Sequence, residues 1–231
     1  MTDVRKALEA EREMEREFVA LVTRSEVAPK GWPAALNLFH ISMWRERLRN
    51  ALVEVREGRT YTPSPEGQEI DEVNDAELAS GLGVSLSDIA ERSDTLLAEL
   101  IALSDQLGDR PFRWNISNTT TEALLRNSYT HPRVHFNQYW KENGDHERAN
   151  ALQEDAVSDM RDASAPPIVM GAVLYNLACT RVAQDRLDEA LELLVEALMM
   201  RPDYKEAAAK DKDLEALHDN PAFKALTSIS P

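Results

Sequence analysis

Two histidines four residues apart, His131 and His135, lie within the segment YTHPRVHFNQYW at residues 129–140. The chain contains only five histidines. Residues four apart share one face of a helix, so this pair can place two imidazole nitrogens about 2.0–2.1 Å from one divalent ion. A third ligand has to come from another element, and His40, in the middle of an apolar helical pattern, is the candidate. The residue types and spacing therefore predict a metal site formed by His40, His131 and His135.

The helix face that carries the histidine pair is polar for a bundle interior. It comprises Leu124, Ser128, His131, His135 and Gln138. Each buried polar group needs a partner, so a lined cavity or a metal site suits this face better than a dry core. Three neutral imidazoles leave at least one position of a divalent ion open, as in catalytic metal sites. The alternatives are a hydrogen-bonded core histidine at position 40 and a solvated histidine pair on a helix surface.

Long helices must position these side chains. Apolar residues recur at helical spacing in five segments, which are 2–24, 33–57, 85–107, 119–143 and 146–161. Thr119 and Glu122 have the spacing of a capping box at the start of the fourth segment. Residues 58–84 are expected to form an excursion with a short helix at 69–79, and residues 108–118 a loop. No segment alternates with period two for long enough to predict a sheet, so four long amphipathic helices predict an all-α bundle.

Pro132 lies between the two histidines and interrupts the predicted helix. Its missing N–H cannot donate to the carbonyl of Ser128, and its ring clashes with the preceding turn. We expect a kink near Ser128, with the freed carbonyl facing the cavity or water.

Two motifs around these histidines resemble a known family. GWPAALNLFHISMWRERL at residues 31–48 and YTHPRVHFNQYWKENG at residues 129–144 are similar to the second-helix and fourth-helix motifs of the DinB/YfiT-like superfamily. NSYTHPRVH and EIDEVNDAELA most resemble the branch that contains the colibactin self-resistance protein. The resemblance covers about residues 1–145, and Pro132 is a departure from the motif.

The resemblance implies a four-helix bundle of up-down-down-up topology with a divalent metal bound by three histidines. Carried onto this sequence, the ligands are His40, His131 and His135. Members of the superfamily include thiol-dependent S-transferases, a mycothiol-dependent maleylpyruvate isomerase and a hydrolase that opens an electrophilic warhead.

The C-terminal third matches a different pattern. Residues 171–204 fit one tetratricopeptide repeat of about 34 residues, with Pro202 at its terminal proline. The segment DASAPP before it reads as a linker, which predicts a bundle with a connecting helix at 1–163 and a repeat-like region with a helical tail at 164–231. A single repeat cannot bury its own apolar face, so we expect this region to cap the bundle, form a homodimer or bind a protein partner.

Composition excludes some classes of partner. The chain has 231 residues, 43% of them hydrophobic, and a formal net charge of −15. Such a surface repels phosphate backbones and anionic membranes, so no nucleic-acid or membrane partner is expected. The N-terminus lacks a signal-peptide pattern, and a single cysteine fits a reducing compartment. These features predict a cytoplasmic protein.

Two hypotheses about function follow. The first is a metal-dependent enzyme that transfers a thiol or water to a small electrophilic substrate, with Zn or Ni as the ion and a low-molecular-weight thiol as a co-substrate. Three imidazoles also suit Fe or Cu, and the sequence identifies no catalytic residue apart from the ligands. Metal affinity should then fall as the pH drops through about 6.5, where free histidine titrates. The alternative is a non-catalytic module with a vestigial metal site, whose tetratricopeptide-like region binds a protein.

Overall fold

The computed structural model describes residues 3–25 and 28–228 and is 77% helical. The helices are α1 (Asp3–Arg24), α2 (Ala34–Arg56), α3 (Gln68–Leu78), α4 (Leu86–Leu107), α5 (Thr120–Leu125), α6 (His131–Glu142), α7 (His146–Asp162), α8 (Pro167–Ala183), α9 (Leu187–Met200), α10 (Lys205–Ala208) and α11 (Pro221–Thr227). The all-α prediction is confirmed. The predicted start of the first helix at Thr2 lies outside the described residues. Within the described ranges, no helix combines the length and apolar character needed to cross a bilayer.

The chain divides into two compact units, Met1–His146 and Glu147–Pro231. The DASAPP linker predicts a division into 1–163 and 164–231, which would leave α7 in the first unit. The structure instead places nearly all of α7 in the second unit. Within that unit α7 is tied to α8 by an ion pair of 2.7 Å between Glu154 and Arg181. The linker pattern marks the turn between α7 and α8. Whether a chain ending at residue 163 folds alone stays a prediction.

In the first unit, α2 packs most extensively against α4, while α1 packs against α4 and α6 packs against α2. The side chain of Ser85 caps α4 by accepting a hydrogen bond from the Asp88 amide, and Gly108 ends it with a positive φ of 60°. An apolar cluster fills the end of the unit where α2 and α4 both end. Its members are Leu48, Ala51, Leu52, Leu100, Leu103, Leu107, Phe112, Trp114, Ala123 and Leu124.

A small β-hairpin occupies part of the segment expected to be a loop. Strands β1 (Pro111–Trp114) and β2 (Ser117–Thr119) pair antiparallel, and Asn115 makes the turn with a φ of 51°. Phe112 and Trp114 point into the apolar cluster and are 3% and 5% exposed. The alternation covers only four residues, which is too short for a sequence pattern to separate from a loop.

The helix that carries two of the histidines is interrupted by a π-turn at Arg126–Thr130. The His131 amide donates to the carbonyl of Arg126, five residues earlier. Thr119 caps α5 as predicted, accepting from the Glu122 amide at 3.2 Å. The irregularity therefore falls where Pro132 predicts one. The wider turn removes the clash between the proline ring and the preceding turn.

The carbonyl of Ser128, which Pro132 cannot bond, is buried instead of facing the cavity or water. It accepts a hydrogen bond of 3.2 Å from the guanidinium of Arg45 on α2. Arg45 is 0% exposed and forms a bidentate ion pair with Glu15 of α1, with one arm at 2.9 Å. Ser93 of α4 bonds to both partners, at 2.9 and 3.0 Å. We call Glu15, Arg45, Ser93 and the Ser128 carbonyl the buried polar layer.

A second buried ion pair ties α1 to α6. Arg133 Nε donates to Glu11 Oε2 at 2.7 Å, and its guanidinium lies 4.2 Å from the centre of the Tyr129 ring. Burial raises the pKa of Glu11 to about 7, although Arg133 opposes that shift. Both pairs anchor the segment that carries His131 and His135.

The second unit consists of α7 to α11. Helices α8 and α9 form a helical hairpin over the residues where the repeat was predicted. Gly171 allows α8 to approach the end of α9 closely, because a Cβ there would lie 2.6 Å from Arg201 Cγ. The Tyr175 hydroxyl donates to Asp211 at 2.7 Å, which attaches the C-terminal turns to the hairpin. The hairpin is established by the structure, and its assignment to the tetratricopeptide class stays a prediction.

Glu15→Ala should lower the free energy of unfolding by about 3–5 kcal/mol, because it leaves the Arg45 guanidinium buried without its carboxylate. Urea denaturation followed by circular dichroism measures the loss. The matched control is Glu46→Ala, which removes a carboxylate paired at 2.7 Å with Arg92 on the surface and should cost about 0–1 kcal/mol. Equal losses in the two variants would contradict the role assigned to the buried polar layer.

Candidate metal centre

The three predicted ligands meet in one cluster. His40 lies on α2, and His131 and His135 lie on the first turns of α6. The Nε2 atom of His131 is 3.1 Å from Nε2 of His40 and 3.0 Å from Nε2 of His135. The possible ligand atoms of all three residues lie within 4.8 Å of one another. The sequence therefore predicted the three histidines that the fold brings together.

The spacing of the nitrogens fits a shared cation. Two nitrogens that each lie about 2.0–2.1 Å from one ion, at angles between octahedral and tetrahedral, are about 2.9–3.4 Å apart. The Nε2 separations from His131 to His135 and to His40, 3.0 and 3.1 Å, fall in that range. No acidic side chain belongs to the cluster as the described residues define it, so the ligand set consists of neutral imidazoles.

Hydrogen bonding alone does not satisfy this arrangement. The His131 ring has a hydrogen bond with the backbone of Asn127, and because Nε2 faces the other histidines, Nδ1 is the nitrogen that can donate it. His131 Nε2 then carries a lone pair with two imidazole nitrogens at about the same short distance. One N–H can serve that lone pair, and the remaining nitrogen would face it unfavourably. A cation accepts all three lone pairs at once, which is why the cluster suits a metal.

The outer contacts of the three rings differ. The hydrogen bond to Asn127 orients His131 in the way that outer partners orient metal-ligating histidines. His40 is 4% exposed, and its buried Nδ1 has no hydrogen-bond partner among the described residues. His40 is therefore held by packing, including an edge contact with Trp44 at 6.4 Å between ring centres.

The cluster disfavours protonation. Burial lowers the pKa of His40 to about 4, with a contribution from the neighbouring His135. Burial also lowers the pKa of His135 to about 4. The pKa of His131 falls well below its usual range because of burial, the other two histidines and the cation of Arg45. The imidazoles are therefore neutral at physiological pH, which is the form that binds metal.

Trp32 covers one side of the cluster. Its ring is stacked on His135 at 5.9 Å between centres with an interplanar angle of 9°, and it meets the edge of His40 at 5.7 Å. The segment before it is held against the end of α6, since the Lys30 amide donates to Asn143 Oδ1 at 2.9 Å. Gly31 has a φ of 69°, and a Cβ there would overlap the Glu142 carboxylate. Trp32 is 38% exposed, so it borders the solvent side of the site.

A pocket of about 210 Å³ opens on the other side, with His40 and His131 in its wall. Its other lining residues are Trp44, Ser64, Ile70, Asn74, Trp114, Asn115, Ala123, Arg126 and Asn127. Several come from the excursion and the hairpin, segments for which the sequence predicts connections without a site residue. The Trp and Asn residues of 108–118 were the available signal, because large aromatic side chains in a short polar connection need a place to pack.

The pocket wall is fixed by hydrogen bonds. Trp44 Nε1 donates to Asn74 Oδ1 at 3.1 Å, and Asn127 Nδ2 donates to the Trp44 carbonyl at 3.2 Å. Asn115 Nδ2 donates to the Pro65 carbonyl at 3.3 Å, which joins the hairpin to the excursion. The lining is therefore arranged before any ligand arrives.

The lowered pKa values shift the expected pH dependence. Protons should compete with metal for His40 and His135 near pH 4, which is below the range around pH 6.5 expected from free histidine. In the metal-free protein the unfolded chain binds protons as the pH falls below about 6.5, whereas the folded His40 and His135, each with a pKa of about 4, do not. Folding stability should therefore decrease as the pH falls from about 6.5 towards 4.

The raised pKa of Glu11 acts in the opposite direction, so the histidine effect is isolated by a difference. The free energy of unfolding of the wild type, minus that of the double variant His40→Gln/His135→Gln, should decrease between pH 7 and pH 4.5 in the presence of a chelator. Urea denaturation at several pH values measures this difference. A difference that is constant with pH would contradict the lowered pKa values.

Comparison with known proteins identifies no relative: no family model, no curated protein and no solved structure matches the chain. The chain is thus a helical protein with a three-histidine cluster that is able to hold a metal ion. The resemblance to the DinB/YfiT-like superfamily stays a prediction from the quoted motifs.

Proposed function

We propose that the first unit is a metal-dependent enzyme of the DinB/YfiT-like class, which transfers a thiol or water to a small electrophile. The observation that carries this proposal is the convergence of three neutral imidazoles beside a preformed pocket, with His131 Nε2 lying 3.1 Å from Nε2 of His40 and 3.0 Å from Nε2 of His135. Three histidine ligands leave coordination positions open, which distinguishes catalytic from structural sites. His40, His131 and His135 would hold a zinc or nickel ion.

When bound, a divalent ion supplies Lewis acidity, which lowers the pKa of a thiol or water that reaches it and strengthens it as a nucleophile at neutral pH. The chain's own residues supply the remaining requirements. His40 and His131 face the pocket, so a substrate there lies next to the histidine nitrogens. Trp44 and Trp114 restrict water within the pocket, and Trp32 covers His135 on the outer side. Restricted water strengthens the electrostatic interactions at such a site.

Metal binding by the triad is tested first. The wild-type chain, prepared without chelator or after dialysis against zinc or nickel, should bind about one ion per chain. His135→Ala should lose this ion while keeping its helical content, because two histidines do not complete the ligand set. Elemental analysis and isothermal titration measure the stoichiometry. His146→Ala, which changes an exposed histidine at the start of α7, is the matched control and should bind metal as the wild type does.

Full metal occupancy in His135→Ala would contradict the ligand assignment. Wild-type protein that takes up neither zinc nor nickel would contradict the enzyme proposal as a whole. That second result favours the alternative of an interaction module with a vestigial site.

The reaction class is tested with a chromogenic electrophile. 1-Chloro-2,4-dinitrobenzene and cysteine give a coloured thioether as the carbon–sulfur bond forms, chloride leaves and the thiol proton passes to the buffer. Zinc- or nickel-loaded protein should accelerate this reaction, and His135→Ala should return the rate to that measured without protein. His146→Ala should keep the wild-type rate. For the hydrolytic branch, the same comparison uses 4-nitrophenyl acetate and water. Wild-type rates equal to those of His135→Ala in both assays would contradict transfer chemistry at this site.

A further inference from the structure

The pocket beside the histidines has an unusual charge for this chain. Asp and Glu account for 41 of the 231 residues, yet no carboxylate lines the pocket, whose wall lies wholly within the described part of the chain. Arg126 is the one lining residue that carries a permanent charge. In a protein of net charge −15, an acid-free pocket with a guanidinium in its wall favours an anionic ligand over a cationic one.

Arg126 is placed by the same π-turn that places His131. A backbone hydrogen bond joins these two residues, and both contribute to the pocket wall. Arg126 Nη1 donates to Ser117 Oγ on β2 at 3.0 Å, and this bond holds the Arg126 side chain against the hairpin. A guanidinium presents its N–H donors in a planar fork that a carboxylate accepts in a bidentate manner.

The remaining wall selects the rest of the ligand. Trp44 and Trp114 are 8% and 5% exposed, and Trp114 is also stacked on Phe112 at 5.8 Å with an interplanar angle of 11°. Two indoles that are fixed in this way favour a flat apolar group. Asn74, Asn115 and Asn127 add amide groups around it.

The volume limits the size of this ligand. The pocket has a volume of about 210 Å³. Pockets for drug-sized ligands are larger, about 300–1,000 Å³. A single ring with one carboxylate is of suitable size.

From these observations we infer that the pocket binds a small planar monocarboxylate, with the carboxylate on Arg126 and the apolar ring between Trp44 and Trp114. The inference deepens the proposed function, on which it rests for the role of this ligand as the substrate that lies next to the histidines. Anion binding itself depends on Arg126, so it can be measured in protein that holds no metal.

Sodium benzoate and benzamide are suitable probes, because they have nearly the same shape and differ in charge. Isothermal titration of the metal-free wild-type chain should show benzoate binding at least about tenfold more tightly than benzamide, since a hydrogen bond to a charged group contributes more than a neutral one. Arg126→Met should reduce this preference to within about twofold, and Arg126→Lys should retain part of it, since a lysine keeps the charge but not the fork. Arg113→Met, which removes an exposed guanidinium from β1 outside the pocket, is the control and should keep the preference.

The titrations are repeated with zinc-loaded protein, because carboxylates also bind metal ions directly. A preference for benzoate that appears only with zinc and survives Arg126→Met would overturn the inference. Absence of a preference in the wild type would overturn it without recourse to any variant, including when Arg126→Met fails to fold. An equal loss in Arg113→Met would also overturn it, by indicating a general charge effect. If the chain binds no zinc while metal-free protein prefers benzoate, the proposed enzyme fails and the anion pocket stands.

Discussion

The Glu15–Arg45 ion pair is the interaction on which the arrangement of the first unit depends. It is buried, and together with Ser93 it connects α1, α2 and α4 at a single point. A buried guanidinium requires all of these partners, because an unpaired charge in the interior is strongly unfavourable. The same guanidinium also donates a hydrogen bond to the Ser128 carbonyl, which further restricts its position. The ion pair therefore holds the π-turn against α2 through the Ser128 carbonyl, and α6 begins directly after that turn.

This constraint explains how three histidines can lie so close together. His131 and His135 follow the π-turn directly, and His40 lies five residues before Arg45 on α2, so the buried polar layer sets the separation of the two helices at the cluster. Arg45 also disfavours a positive charge on His131. The polar layer thus keeps the imidazoles both close together and neutral, and these are the two conditions that a shared cation requires.

The histidine triad was predictable because its signals are local. An i, i+4 pair needs only the helical repeat to bring its members together, and an isolated His40 in an apolar pattern requires a partner. Pro132 also predicted an irregularity, since the lack of a backbone N–H is a property of the residue itself. The fate of the Ser128 carbonyl was not predictable, because the donor that satisfies it lies 83 residues away in sequence. The expectation that it would face a cavity or water was wrong for this reason.

The sequence by itself determined the long helices, the Thr119 cap and the identity of the clustered histidines, all of which follow from side-chain periodicity and backbone chemistry within one or two turns. The tertiary structure alone decided the boundary between the compact units, the β-hairpin and the pocket. Asn74, Trp114 and Arg126 belong to three elements of different type, and no local pattern indicates that they share a wall with His40. Their meeting depends on long-range packing, in which the hairpin and the excursion close over the end of the helices, and such packing is set by the burial of the whole unit.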